Sequence, residues 1–394
     1  MSELRIAWRN LLFRPVLTMV TAATLGTAVT LVIAVLLLSH AVENGLVRAS
    51  RPFDLLVGAK GSPTQLIMST ILLQDAPVGN IPLTYFEMLR GDPRVAHAIP
   101  LAMGDSVRGF RLVGVGPEFF ELADPASKQP YFAVAEGRAF EKTFDAVLGA
   151  QVAVKWRMGL HDSFQSQHGL LDGVPGTAHE ANYTIVGILK PSDTPLDGAI
   201  FVSLDSYWDV HDATAREITA AMIRPVGIRE FYQLFQEINQ GTVGQAVLTG
   251  QGMARLFDLL GQGQLVLTKV CYLALIMGTA TVFLASYAVG AQRRRETAIL
   301  RALGAGRWSV FLIGLAEPLI IAAWGIILGF AAGHLAAWYI GSRLHDASAI
   351  AIRPTFMIEE LMVVSAVLLL SAVAGLIPAI ESYRQDVATN LAPA

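Results

Sequence analysis

Four apolar runs, residues 16–39, 265–290, 309–340 and 356–380, constrain this chain more than any other feature. A helix needs about 20 apolar residues to cross the hydrocarbon core of a bilayer, and each run supplies them. Backbone in hydrocarbon must satisfy its own hydrogen bonds, so the runs are expected as helices. The fold class is therefore an α-helical membrane protein with four transmembrane helices in a one-plus-three layout, because residues 40–262 separate the first run from the other three. Composition agrees. Of 394 residues, 53% are hydrophobic and only 15% are charged, and the mean hydropathy is +0.50, which excludes an ordinary soluble enzyme. A net charge of -3 offers no bulk attraction to nucleic acid. Cys271 is the only cysteine and lies inside the second run, so no internal disulfide forms and a thiol redox role has no partner.

Residues 1–15 read as a cytoplasmic amphipathic segment, with Arg5, Arg9 and Arg14 interleaved with Leu4, Trp8, Leu11 and Leu12. Ser39-His40-Ala41 faintly resembles a signal-peptide cleavage site, but a run of roughly two dozen apolar residues suits a span better than a signal core. Arginine-rich ends place the N-terminus inside, so residues 40–262 are expected to be extracytoplasmic. The same counting makes residues 291–308 a cytoplasmic segment, 341–355 an outer loop carrying only Arg343 and Arg353, and 381–394 a cytoplasmic tail. In the first span Thr18, Thr21, Thr24, Thr27 and Thr30 recur every third residue, spaced to bond back to i−4 carbonyls or to sit at a helix interface.

Within residues 40–262 the periodicity predicts helices over 64–74 and 82–90 and strands over 95–101, 108–115, 147–154, 183–189 and 200–204. A strand over 217–223, a helix over 227–238 and a strand over 244–248 close the domain, giving an α+β module. Residues 253–292 read as one long helix, a stalk that continues into the second span.

Several groups are candidates for function. Residues 291–308 carry two faces when drawn as a helix, with Glu296, Ile299, Leu300 and Leu303 on one and Arg294, Ala298, Arg301 and Ala305 on the other. A solvated linker, a membrane-surface helix and a docking element all fit that pattern. Gly325, Gly329 and Gly333 form a small-residue series that lets a second helix approach the third span closely. Glu317 lies inside the same apolar run, where an ionised carboxylate costs at least about 2.5 kcal/mol, so it needs a partner or a wet site. His161, His168, His179 and Glu180 fall in one glycine- and proline-rich excursion, residues 159–182. Neutral imidazoles with carboxylates suit a borderline divalent ion such as zinc, or a metalloporphyrin, although the spacing matches no standard motif and favours a solvated loop. His334 and His345 read as packing or interface residues. Gly58 and Lys60 fall in a stretch that lacks the spacing of a phosphate-binding loop, and no nucleophile motif is present, so catalysis by this chain is unsupported.

RRRETAILRALGAGRWSV at 293–310, VLGAQVAVKWRMGLHDSF at 147–164, NYTIVGILKPSDTPLDGAIFVSL at 182–204 and GLIPAIESYRQDVATNL at 375–391 together resemble the FtsX/MacB-like permeases of ABC transporters. The resemblance covers the whole chain and implies a non-catalytic membrane subunit in a bacterial inner membrane. It further implies a dimer of two permease copies, a separate ABC ATPase that holds ATP and magnesium, and contact with a periplasmic adaptor or substrate-binding protein. ATP-driven movement of the stalks and outer domains would export or extract an amphipathic cargo such as a lipoprotein, lipid, peptide, drug or haem. A permease that only activates an envelope protein, without cargo, is the alternative, and metal handling through the histidine excursion is a third. On this reading Ile299, Leu300 and Leu303 seat in the ATPase, Arg293, Arg295, Glu296 and Arg301 fix the register, and Gly304 ends the segment.

Overall fold

The computed structural model describes residues 3–169, 178–211, 216–348 and 355–384. Residues 349–354 of the expected outer loop and 385–394 of the expected tail lie outside that set. The chain divides into two compact units, one built from Met1–Ala41, Gly261–Gly341 and Arg353–Ala394, the other from Val42–Leu260 and Ser342–Ile352.

In the first unit, Pro15–Ser50, Gly261–Gln292, Arg307–Asp346 and Ile358–Arg384 are long and apolar enough to span a membrane. Membrane helices gain no hydrophobic free energy by leaving lipid for one another, so they associate through close packing. Here the first and third spans meet at glycines. A Cβ on Gly329 would stand 2.6 Å from the Gly26 carbonyl oxygen, and one on Gly333 would stand 2.8 Å from the Ile33 Cβ. Thr21, Thr24, Thr27 and Thr30 each donate to the carbonyl four residues back, and Thr30 Oγ1 also lies 3.3 Å from the Gly329 oxygen. Leu25, Val29 and Ile33 of the first span are buried with Cys271 and Leu275 of the second, Ala322 of the third and Val367 of the fourth.

The helices outrun the apolar stretches. Pro15–Ser50 continues past residue 39 because nothing breaks it before Pro52, whose ring disfavours helix in the residue ahead of it. Residues 341–348, expected as a loop, likewise extend Arg307–Ser348, since GSRLHDAS contains no proline. The stalk and second span form one helix, Thr249–Gln292. An amphipathic helix, Glu3–Leu12, precedes the first span and stops short of Pro15, which begins the next helix.

The second unit is built on an 11-stranded mixed sheet. Nine of its strands run in the order Gly244–Leu248, Leu55–Ala59, Ala220–Pro225, Val95–Val107, Phe110–Val115, Ala199–Ser203, Asp145–Leu148, Tyr183–Leu189 and Val134–Gly137, while Ser163–Phe164 pairs with Tyr183–Leu189 and Gln167–His168 with Val95–Val107 off that path. Both faces are covered. Leu56, Ile99, Phe201 and Met222 enter one apolar cluster, and Leu55, Val57, Ile200, Val202 and Ile223 enter the other. This two-sided burial explains why LLV at 55–57 and IFV at 200–202 read as unbroken apolar runs.

Residues 147–154, expected as one strand, are a strand ending at Leu148 and a helix, Ala150–Trp156. The break is at Gly149, where a Cβ would lie 2.4 Å from the Asp197 carbonyl oxygen, so the chain turns there against backbone. A second irregularity lies in Val95–Val107, where the pairing with Phe110–Val115 slips between Met103 and Asp105. That bulge changes which face Asp105 joins.

Candidate functional site

Two places in the described chain gather functional side chains, one in each unit. In the first unit the segment after the second span is a short helix, Arg294–Ala302. It ends at Gly304, whose φ of +99° glycine adopts without steric cost, with Ala305 N donating to the Leu300 carbonyl at 3.0 Å. Ala298 is buried, whereas Ile299, Leu300 and Leu303 are 43%, 39% and 81% exposed. Arg294, Arg295 and Glu296 are exposed beside them. The segment thus offers an apolar ridge within a charged surround.

Arg293 departs from its expected place on that surface. Its guanidinium turns inward, and Nη1 meets Glu317 Oε1 at 2.7 Å with both side chains only 14% exposed. Asn10 Nδ2 donates to the same oxygen at 2.7 Å. The carboxylate in the third span therefore has its partners, and its cost is met by an ion pair and an amide rather than by open water. In the isolated chain the Arg293 charge is therefore directed at Glu317 and not at the exposed ridge.

In the second unit, Asp105, His168, His179 and His211 converge, each offering one ligand atom, all within 4.8 Å of one another. The bulge makes this possible. Strict alternation would put Asp105 with Leu101 and Met103 in the first cluster, but the slip carries it to the face of Ala102 and Val107 in the second. Gly104 leaves room beside the bulge for Tyr207, since a Cβ there would lie 2.7 Å from Tyr207 Oη. Two backbone pairings then bring in the excursion. Asp105 pairs with His168 and Ser106 with Gln167, and the His179 N–H donates to the Ser166 carbonyl at 2.9 Å. His211 follows the helix Leu204–Asp209, its Nδ1 2.6 Å from the Tyr207 carbonyl and its ring stacked on that of Tyr207. The carbonyl can only accept, so Nδ1 carries the proton and Nε2 faces Asp105.

Asp105 Oδ1 lies 3.2 Å from His211 Nε2 and 3.4 Å from His168 Nδ1, and Oδ2 lies 3.1 Å from His179 Nε2. The three rings stand 4.3 to 5.0 Å apart by their centroids. Burial holds the His179 imidazole below its ordinary value, while the hydrogen bond to Asp105 raises that of His211 against burial. Burial, then the Asp105 charge, pushes the Tyr183 and Tyr207 phenols far up, so both stay neutral.

Of the four residues expected in a metal set, the fold gathers His168 and His179 and leaves out His161 and Glu180. His161 and Glu180 are exposed, and neither belongs to the cluster. Asp105 and His211 escape sequence reasoning because their relation to the excursion is wholly non-local. The available signal for Asp105 is a lone acid after a glycine in the otherwise apolar 98–107.

Comparison with known proteins adds a family context. Residues 269–387 match the family described as FtsX-like permease C-terminal, and residues 18–236 match the MacB-like periplasmic core domain. No curated protein sequence matches the chain. Similar solved structures include the extracellular domain of the noncanonic ABC-type transporter YknZ from Gram-positive bacteria, at 10% identity over 49% of this chain and 98% of that one, with a TM-score of 0.32. Another is the periplasmic region of MacB from Actinobacillus actinomycetemcomitans, at 8% identity over 52% of this chain and 95% of that one, with a TM-score of 0.35.

Proposed function

This chain belongs to the FtsX/MacB-like permeases, the membrane subunits that ABC-type transporters pair with an ABC ATPase, and on that premise we propose that residues 291–308 are the joint through which the ATPase drives it. The observation that carries the reading is the exposure of Ile299 and Leu300 on a short helix, and of Leu303 just past its end, beside exposed Arg294, Arg295 and Glu296. Fully burying a leucine stabilises by about 1.5–3 kcal/mol, and a groove on the partner would supply that burial while the flanking charges set orientation. The Glu317 carboxylate and the Asn10 carbonyl both accept from the Arg293 guanidinium at the start of the segment, so a push on the ridge is borne by the spans and not absorbed by a loose turn.

In this proposal ATP and magnesium sit on the ATPase, two permease copies form the membrane core in a bacterial inner membrane, and the inserted domain lies outside the cytoplasm. The Thr249–Gln292 helix carries the stroke, and an amphipathic cargo is exported or extracted with a periplasmic protein as further partner. The test is co-purification of the cognate ATPase with the L300D/L303D permease. Recovery is expected to fall at least tenfold, the equivalent of about 1.4 kcal/mol, with membrane insertion unchanged. Undiminished recovery refutes the joint. ATPase stimulation by cargo in reconstituted membranes supports transport, whereas stimulation by a periplasmic protein without cargo movement supports pure signalling.

A further inference from the structure

The cluster in the second unit has no part in the proposed joint, and its donor set has a chemistry of its own. We propose that Asp105, His168, His179 and His211 form a solvent-accessible site that takes one borderline divalent transition ion of the zinc class. The inference does not depend on the proposed joint.

A hydrogen-bonded polar knot is the competing account, and the atoms do not satisfy it. Asp105 Oδ2 and His179 Nε2 are buried and lack hydrogen-bond partners, although they stand only 3.1 Å apart. Two buried polar atoms left so close and unbonded are costly, and such orphans call for an explanation. A cation between them removes the cost at once, because both then present lone pairs to it.

The spacing fits. Around an ion with bonds of about 2.0–2.1 Å, tetrahedral ligand atoms stand about 3.3 Å from each other. Asp105 Oδ1 already stands at that separation from His211 Nε2 and His168 Nδ1, at 3.2 and 3.4 Å, and the other carboxylate oxygen, Oδ2, lies 3.1 Å from His179 Nε2. With every ligand atom within 4.8 Å of the others, the widest pair closes by about 1.5 Å, which rotation of the imidazoles supplies. Three nitrogens and one oxygen suit zinc and its borderline neighbours and disfavour magnesium and calcium, which require mostly oxygen. The outer shell is also formed, since the Tyr207 carbonyl fixes the His211 ring through Nδ1.

Exposure rises stepwise around the cluster. The side chain of Asp105 is 0% exposed, His179 8%, His211 21% and His168 51%. The site is closed at the carboxylate and open at His168, so an ion can enter and leave on that flank and keep a position for water or an incoming ligand. The sheet is packed by apolar clusters on both faces, so the domain does not rely on the ion to fold. Both features point to an exchangeable ion.

The test uses the full chain in detergent, free of any polyhistidine tag, stripped with a chelator and titrated with cobalt(II). One ion per chain is expected, with the intense visible bands of a four- or five-coordinate site, lost on addition of one equivalent of zinc or of excess chelator without unfolding. H168A, H179A and H211A should each weaken binding at least tenfold, while H161A and E180A, on the same excursion, leave it within about twofold. Absence of cobalt bands in the wild-type chain overturns the proposal, whatever the variants do. Equal affinity in the H168A/H179A/H211A chain also overturns it, because the ion then sits elsewhere.

Discussion

The same chemical change, glycine to alanine, should act with opposite sign at two positions of the spans. At Gly329 an added Cβ meets the Gly26 carbonyl oxygen and the Val29 Cβ, each at 2.6 Å, where ordinary contact begins at 3.4 Å. The obstacle is backbone and a β-branched side chain, neither of which can swing aside. The first and third spans must therefore part by the shortfall, about 0.8 Å, and a gap of about 0.5–1 Å forfeits roughly a quarter to a half of the dispersion attraction across it. Overpacking of this kind costs about 1–3 kcal/mol. Gly263 lies in the helix Thr249–Gln292, and a methyl added there would have nothing within 4 Å, so alanine gains about 0.5–1 kcal/mol through helix propensity. Cys271 supplies the assay, because it is the only cysteine and is 2% exposed among residues of the first span. Its labelling by a thiol-reactive fluorophore on heating in detergent reports separation of the spans. At about 2–4 °C per kcal/mol for a body of this size, G329A should lower the midpoint by several degrees and G263A should raise it slightly. A G329A midpoint at or above that of the wild type would refute the close approach of the two spans.

Three further outcomes follow from other contacts. R293A leaves Glu317 with Asn10 alone in a poorly hydrated place and should cost about 3 kcal/mol, read as an earlier Cys271 midpoint, with E317Q/R293A recovering part of the loss. G137A should destabilise the inserted domain by about 1–3 kcal/mol, because Gly137 has φ of +75° and its Cβ would lie 2.1 Å from the Val186 carbonyl oxygen; proteolysis of the second unit measures it. Burial raises the Asp145 carboxyl, but the Glu141 and Lys142 N–H groups and Arg138 outweigh it and hold the group below its usual range. Its stabilisation is therefore complete above the unfolded value of about 3.9 and is lost as pH falls through the lower folded value. D145N should unfold earlier than wild type at neutral pH, with the difference shrinking on acidification.

The histidine cluster shows how far the primary structure can be read. His168 and His179 are legible as a pair because eleven residues of one excursion bring them into the same loop. His161 and Glu180 share that loop, but proximity in sequence says nothing of direction, and the backbone pairing at Gln167 and Ala178 selects which side chains face the sheet. Asp105 lies 106 residues from His211 in the chain, and no local pattern links them. Similarly Glu317 declares its need for a partner, yet Asn10 and Arg293 can be found only once three helices have packed.

What the chain determined by itself is what periodicity and length can encode: four spans, an α+β insertion, an amphipathic segment between the second and third spans, and glycines that invite a neighbouring helix. These rest on local free energies, the transfer of apolar residues to lipid and the hydrogen bonds that each helix makes within itself. The tertiary structure decided the rest, because it depended on direction. A single extra residue at Gly104 moved Asp105 across the sheet, and the packing of three helices turned Arg293 from the surface to Glu317. In both places a charged group is aimed by contacts made far along the chain, and composition and spacing carry no record of such aim.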